Sequence, residues 1–196
     1  MRTRLLIFST IVVLSFCASF VLPSAVPAQT TPREGSVFPD LSLPLPQKID
    51  ERNYLQVEEG PFKLSQVKTE VLIVEIFSMY CPYCQKEAPN VNGLFEALAA
   101  NPKLKSRVKL IGIGAGNSSF EVNAFRNLYR IEFPLLPDGD LAIHKQLGAV
   151  GTPYFFVLRN KAPGRLEVIY SQVGSFGDPA AFLDMIAAKI GPGKKK

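Results

Sequence analysis

Two cysteines, Cys81 and Cys84, stand directly after an apolar segment of the chain. That segment, residues 71–77, is rich in β-branched side chains, and such a run predicts a strand buried on both faces. Apolar residues then recur at helical spacing over 81–100, until Asn101-Pro102 ends the pattern. A buried strand that leads through a cysteine pair into a helix restricts the chain to α/β folds.

Strands and helices alternate along the rest of the sequence. Apolar runs predict strands at 108–114, 133–136, 154–158 and 166–173, and amphipathic patterns predict helices at 120–129 and 179–190. In the first of these helices, Val122, Phe125, Leu128 and Tyr129 are spaced for one buried face. Alternating elements, followed by a strand pair and a closing helix, predict a single α/β domain built on a mixed sheet.

The charge distribution argues against nucleic acid as a partner. The 196 residues carry a formal charge of +5, but Arg2 and Arg4 lie at the extreme N-terminus and three lysines, 194–196, end the chain. The remainder holds 17 basic and 17 acidic residues, with no basic stripe. A neutral body of this kind lacks the clustered positive charge of a nucleic-acid binder. We separately expect the protein to be a monomer.

The N-terminus has the pattern of an export signal. A short positive start precedes the uncharged apolar run 5–22, and small residues at Val26 and Ala28 suit cleavage after Ala28. The alternatives are an uncleaved membrane anchor and a lipoprotein modified at Cys17. We therefore predict a signal peptide over 1–28 and a periplasmic or otherwise extracytoplasmic protein.

The predicted mature chain then consists of three parts. They are a lead-in over 29–36, the folded domain over 37–190 and a basic tail over 191–196. Cleavage leaves Cys81 and Cys84 as the cysteines of the mature chain, in a compartment that permits disulfide chemistry.

The position of the pair at a helix start favours redox chemistry. Free backbone N–H groups and the positive end of the helix dipole lower the pKa of a cysteine at this place. Cys81 is then the nucleophile that attacks a disulfide, and Cys84, one turn later, resolves the mixed disulfide. Two alternatives remain open, which are a zinc half-site that includes His144 and a purely structural disulfide.

Further residues resemble the thioredoxin superfamily. Glu75 lies six residues before Cys81, Pro89 falls where the family kinks its first helix, and Thr152-Pro153 matches the cis-proline loop. The resemblance implies a three-layer fold around a central mixed sheet. It also implies that Glu75 lies beneath the second cysteine as a proton relay, and that Thr152-Pro153 binds substrate. We expect Pro82 and Tyr83, between the cysteines, to contact substrate as well.

Within the superfamily the chain resembles the TlpA/ResA branch. The segment between the cysteine helix and Pro153 reads as a βα-type insertion, and residues 37–41 are similar to that branch's N-terminal hairpin. Two departures are the Pro82-Tyr83 dipeptide, which is typical of glutaredoxins, and Tyr80, which replaces the usual Trp. The resemblance implies a cofactor-free reductase of protein disulfides, with apocytochrome c as one possible substrate and a membrane protein as electron donor.

Two other functions are weighed against this one. A peroxidase would need Pro and Thr or Ser before the cysteine; Ser78 fits that motif, but Val74 replaces the Pro. A copper-handling assembly module would use Cys81, Cys84 and His144 as ligands.

Three weaker signals are read as structural. Gly112, Gly114 and Gly116 follow a strand but do not have the spacing of a dinucleotide loop. His144 is expected to be solvated on a short surface helix. Lys86 and Glu87 are expected to be solvated residues of the cysteine helix.

Overall fold

The computed structural model describes residues 30–162 and 164–192. The predicted signal peptide, its cleavage site and the tail lysines lie outside the described residues, so the limits of these segments stay predictions. Within the described part of the chain, no helix is long and apolar enough to cross a membrane.

Eight strands and five α-helices follow one another along the described chain. They are β1 (Val37–Phe38), β2 (Ser42–Leu43), α1 (Ile49–Leu55), β3 (Phe62–Lys63), β4 (Val71–Phe77), α2 (Pro82–Ala100), β5 (Val108–Ala115), α3 (Ser119–Tyr129), β6 (Leu135–Asp138), α4 (Ala142–Gln146), β7 (Tyr154–Ala162), β8 (Arg165–Val173) and α5 (Pro179–Ile190). The predicted closing helix has the same limits as α5, and the predicted βα insertion corresponds to α3 and β6.

Six strands form one sheet in the order β1-β8-β7-β4-β5-β6. The pairs β4–β5 and β5–β6 are parallel, whereas β4–β7, β7–β8 and β1–β8 are antiparallel. The predicted mixed-sheet α/β fold is therefore confirmed. Strand β4 lies at the centre with a neighbour on each side, which is why its sequence is almost wholly apolar.

The two faces of β4 contact different halves of the core. Leu72, Val74 and Ile76 belong to the cluster that includes Leu55 of α1. Val71, Ile73 and Phe77 belong to the cluster that includes α2, α3 and α5. Side chains alternate along a strand, so Glu75 is directed to the second face, toward α2.

The N-terminal region differs from the predicted hairpin. Strand β1 pairs with β8, so that Phe38 lies opposite Leu166, and β2 pairs with β3 in a separate two-stranded sheet. The seven-residue helix α1 was not predicted, because its polar sequence shows little amphipathic pattern and only Glu51 and Leu55 are buried.

Two smaller expectations are also corrected. Leu128, predicted on the buried face of α3, is 71% exposed, whereas Val122 and Phe125 are buried as predicted. The short strand predicted at 133–136 begins two residues later, because residue-by-residue pairing with β5 starts at Leu135. The Pro134 carbonyl, just before it, accepts from the Gly112 N–H.

Candidate functional site

The cysteine pair lies where β4 ends and α2 begins. Cys81 is the N-cap residue of α2, and Pro82 occupies the first helical turn, where a missing N–H costs nothing. Cys81 is partly exposed and Cys84, one turn later, is buried, and both carry free thiols. The predicted position of the pair at a helix start is present, and the structure adds that one sulfur is accessible and the other buried.

The surroundings of Cys81 favour its thiolate. Burial raises the pKa of Cys81, but hydrogen bonds from the Thr152 side chain and from the N–H groups of Cys84 and Tyr83 outweigh it, so that its pKa lies below the ordinary value. As a thiol, Cys81 donates to the Thr152 carbonyl, with Sγ 3.2 Å from the oxygen. The carbonyl can serve only the protonated form, whereas the hydroxyl and the amides serve the anion.

The surroundings of Cys84 favour its thiol. Burial raises the pKa of Cys84 strongly, and the neighbouring Cys81 and Glu75 add to this, although the Ser78 N–H opposes it. The two sulfurs therefore differ in the direction of their pKa shifts. That difference suits Cys81 to act as a nucleophile, and it suits Cys84 to exchange its proton with a group inside the protein.

Glu75 is buried inside β4, as the apolar run around it predicts. Burial raises the pKa of Glu75 to about 8, and the negative charge of Glu87 adds to the shift. Glu75 also raises the pKa of Cys84, so the protonation of the two groups is coupled. A carboxyl group that titrates near neutral pH can exchange a proton with the buried thiol.

Glu87 is a site residue that the sequence analysis placed wrongly. It was expected to be solvated, yet it is only 7% exposed, and its Oε1 accepts from Asn90 Nδ2 and Ser175 Oγ at 2.9 Å each. The sequence does contain a signal for this position. Glu87 lies three residues after Cys84, on the same helical face as buried Ala88 and Val91.

The Thr152–Pro153 peptide bond is cis, as predicted. It lies beside α2, where a groove of about 520 Å³ is lined by Tyr83, Lys86, Glu87, Gly151 to Pro153 and Val173 to Ser175. Tyr83 is 74% exposed, and Val173 of the strand edge is exposed as well. The groove brings three predicted substrate-binding residues together, and Pro82 is exposed at the helix start beside them.

His144 is not freely solvated as expected. It is partly buried, and its Nε2 lies 2.7 Å from the Val150 carbonyl oxygen. Among the described residues, no three His, Cys, Asp or Glu side chains gather in a way that could hold a metal ion. The three residues considered for copper, Cys81, Cys84 and His144, therefore do not form such a group.

Replacing Thr152 by valine is expected to raise the pKa of Cys81. Valine keeps the shape of threonine but removes the hydroxyl that stabilises the thiolate, whereas the backbone carbonyl remains. The measurement is the pH dependence of Cys81 alkylation by iodoacetamide, followed by mass spectrometry. Thr69→Val, which removes a hydroxyl bonded to the Val71 and Arg107 carbonyls, is the matched control. An unchanged profile in Thr152→Val would contradict the assignment.

Sequence comparison finds one family model and two curated relatives that match the chain. Residues 35–165 match the AhpC/TSA family. The thiol-disulfide oxidoreductases ResA of Bacillus thuringiensis subsp. konkukian and of Bacillus cereus are each 26% identical over 103 residues, which is 52% of this chain and 56% of theirs. The chain thus aligns with about half the length of these relatives.

Solved structures with the same fold as this chain are found by structural comparison. A protein assigned as the thiol:disulfide interchange protein DsbE from Chlorobium tepidum superposes with a TM-score of 0.61 at 19% identity, over 82% of this chain and all of the other. StoA from Bacillus subtilis superposes with a TM-score of 0.52 at 20% identity, over 79% of this chain and 99% of that one.

Proposed function

The chain belongs to the AhpC/TSA family, and from this premise we propose that it is a thiol–disulfide oxidoreductase in which Cys81 and Cys84 carry the electron pair. The observation that supports this most is the opposite shift of the two thiol pKa values, down for the accessible Cys81 and up for the buried Cys84. The name of the ResA relatives agrees with this activity.

The proposed reaction with a substrate disulfide has two steps. The Cys81 thiolate attacks one sulfur of the substrate, which forms a mixed disulfide and releases the other substrate sulfur as a thiolate. Cys84 then gives up its proton and attacks Cys81 Sγ, so that the mixed disulfide breaks. The substrate leaves with two thiols, and the protein keeps the electron deficit as a Cys81–Cys84 disulfide; no cofactor takes part.

Glu75 would serve both directions of this cycle. In its ionised form it can accept the Cys84 proton before the second step, and in its protonated form it can neutralise the Cys84 thiolate when the protein disulfide is reduced again. A pKa of about 8 keeps both forms accessible near neutral pH. Thr152, Pro153, Pro82 and Tyr83 would bind the segment of substrate that flanks the disulfide, in the groove beside α2.

We also propose a direction and a place for this activity. The pattern over residues 1–28 supports export to the periplasm or another extracytoplasmic compartment, with a membrane anchor as the alternative. The resemblance to the TlpA/ResA branch supports a reductase that takes electrons from a membrane protein, and we expect the protein to act as a monomer. Its substrates would be protein disulfides, and apocytochrome c is one candidate.

The peroxidase alternative is less well supported by the fold. Val74, which stands where the peroxidase motif has Pro, lies within β4 opposite both Ile111 and Phe156. A proline has no N–H to donate to a neighbouring strand, so the peroxidase motif would not fit this position in a central strand. Consumption of hydrogen peroxide by the purified protein at a rate comparable with disulfide exchange would restore this alternative.

A redox titration tests the proposed function. The purified protein is equilibrated with glutathione buffers of different potential, and free thiols are alkylated and located by mass spectrometry. Cys81 and Cys84 are expected to become protected together, in one two-electron transition. Protection of Cys81 alone, or no dependence on the buffer, would contradict the proposal. The midpoint also gives the direction, since reductants of this fold lie near −270 mV and strong oxidants near roughly −120 mV.

A further inference from the structure

The glycines at the end of β5 pack closely around Asn117, whose side chain contacts the loop before the cysteine pair. A Cβ on Gly114 would lie 3.0 Å from Val122 Cγ2 and 3.1 Å from Asn117 Cβ, and Gly116 has a φ of +66°. The Asn117 N–H donates to the Gly114 carbonyl at 3.0 Å. These small residues let the chain turn tightly and leave room for the Asn117 side chain, which is fully buried.

The Asn117 amide contacts the loop that connects β4 to Cys81. Its Oδ1 accepts from the Met79 N–H at 2.8 Å, and its Nδ2 donates to Ser78 Oγ at 3.4 Å. The Met79 carbonyl is held from the other side, because Gln85 Nε2 donates to it at 2.8 Å. Both polar groups of the Met79 backbone are thus fixed by side chains.

This loop carries one of the groups that act on the buried sulfur. The Ser78 N–H acts on Cys84 and opposes the effect of burial on its pKa, and the Ser78 carbonyl accepts from the Cys81 N–H at 3.1 Å. The amides that act on Cys81 belong instead to Tyr83 and Cys84 of α2. The loop therefore acts on the pKa of Cys84 and the α2 amides act on the pKa of Cys81, whereas Thr152 acts on both.

We infer that Asn117 is a positioning residue that holds the Ser78 N–H against the Cys84 sulfur and so speeds the release of Cys84 as a thiolate. This inference rests on the proposed function, because it concerns one step of the same exchange cycle. Asn117 contacts neither sulfur and acts only through the loop.

The step concerned is reduction of the protein disulfide. A thiolate of the reductant attacks Cys81 Sγ, the bond between Cys81 and Cys84 breaks, and Cys84 leaves with the electron pair. A negative charge then forms in a buried place, where a fixed N–H stabilises it more than a mobile one. The second thiol of a dithiol reductant next attacks the mixed disulfide, which frees Cys81 and leaves the reductant oxidised.

The test compares Asn117→Ala with Asn92→Ala in the full chain. Asn92 is the matched control, since its Nδ2 donates to the Tyr129 carbonyl at 2.8 Å and joins α2 to α3 away from the loop. Oxidised protein is mixed with dithiothreitol over a range of pH, and alkylation reports the release of Cys84. We expect release to slow about tenfold in Asn117→Ala and less than about twofold in Asn92→Ala.

A second measurement separates positioning from general loosening. In the reduced protein, Cys81 alkylation by iodoacetamide is expected to change less than about twofold in Asn117→Ala, because its stabilising groups lie outside the loop. Equal slowing of both reactions, or equal release rates in the two Asn variants, would overturn the inference.

A further variant covers the case in which Asn117→Ala does not fold. Gln85→Ala removes the hydrogen bond to the Met79 carbonyl, and Gln85 is partly exposed, so its loss disturbs the core less. We expect this variant to slow Cys84 release by a similar factor and to have little effect on Cys81 alkylation. Normal release in Gln85→Ala would then overturn the inference. Failure of the wild-type protein to form or exchange its disulfide would contradict the proposed function instead.

Discussion

Replacing Cys81 by serine is expected to reduce disulfide exchange by more than about 10³-fold, whereas replacing Cys84 by serine is expected to trap the substrate on the protein. The serine hydroxyl does not ionise near neutral pH, and it cannot form the mixed disulfide that begins the cycle. Cys84→Ser keeps the attacking thiolate with its Thr152 and helix N–H contacts, but it removes the thiol that resolves the intermediate.

The measurement uses insulin as the disulfide-bonded probe, with non-reducing electrophoresis and mass spectrometry to locate the cross-link. Cys84→Ser should accumulate a complex joined through Cys81, and the double variant should accumulate none. Wild-type protein is the control, and it should exchange without accumulating a complex, because Cys84 resolves the mixed disulfide. Exchange that survives in Cys81→Ser, or trapping through Cys84, would exclude the assigned roles.

The sequence predicts this site well where the chemistry depends on local pattern. The limits of β4 and α2 follow from hydrophobic runs, and they place Cys81 at the helix start without knowledge of the rest of the fold. The alternation of side chains along β4 also sets the direction of Glu75. Local periodicity thus accounts for Cys81, Cys84 and Glu75, the three groups that we propose to take part in proton and electron transfer.

The residues that were missed depend on contacts between distant segments. Glu87 is buried because the loop around Ser175 covers it, 88 residues further along the chain. Asn117 reaches Met79 across 38 residues, through strands that happen to be neighbours in the sheet. A polar residue shows no sign in the sequence of a partner that the topology alone brings near.

Helix α1 shows the same limit in a second region. Its Glu51 pairs with Arg126 of α3 at 2.7 Å, and both side chains are almost fully buried. Arg126 also donates to the Phe133 carbonyl at 3.0 Å. Burial of an ion pair needs both partners in place, so neither charge alone indicates a core position, and the sequence analysis assigned no helix to this stretch.

Replacing Glu75 by glutamine is expected to stabilise the protein at neutral pH while it slows disulfide exchange. Glu75 has a folded-state pKa of about 8 against a reference value of 4.5. Between these values the unfolded chain has lost the proton and the folded protein retains it, so the unfolded state binds fewer protons and stability falls as pH rises. Glutamine keeps the shape of the protonated acid and has no charge to form.

The expected effect can be measured by urea unfolding of the reduced proteins at pH 5.5 and 7.5. The stability of Glu75→Gln relative to wild type should rise by about 2–3 kcal/mol between these two pH values, which follows from the raised pKa of Glu75. Glu96→Gln, an exposed change on α2, is the matched control and should stay within about 0.5 kcal/mol of wild type.

The activity of the same variant decides whether Glu75 is a proton relay or only a buried acid. A relay that is lost should slow Cys84 release and resolution by about 10²-fold, and the pH dependence of these rates near pH 8 should disappear with it. A buried acid without a role would give the stability gain and leave the rates unchanged. If Glu75→Gln is more stable than wild type but exchanges disulfides more slowly, the Glu75 carboxyl group serves the reaction and lowers the stability of the fold.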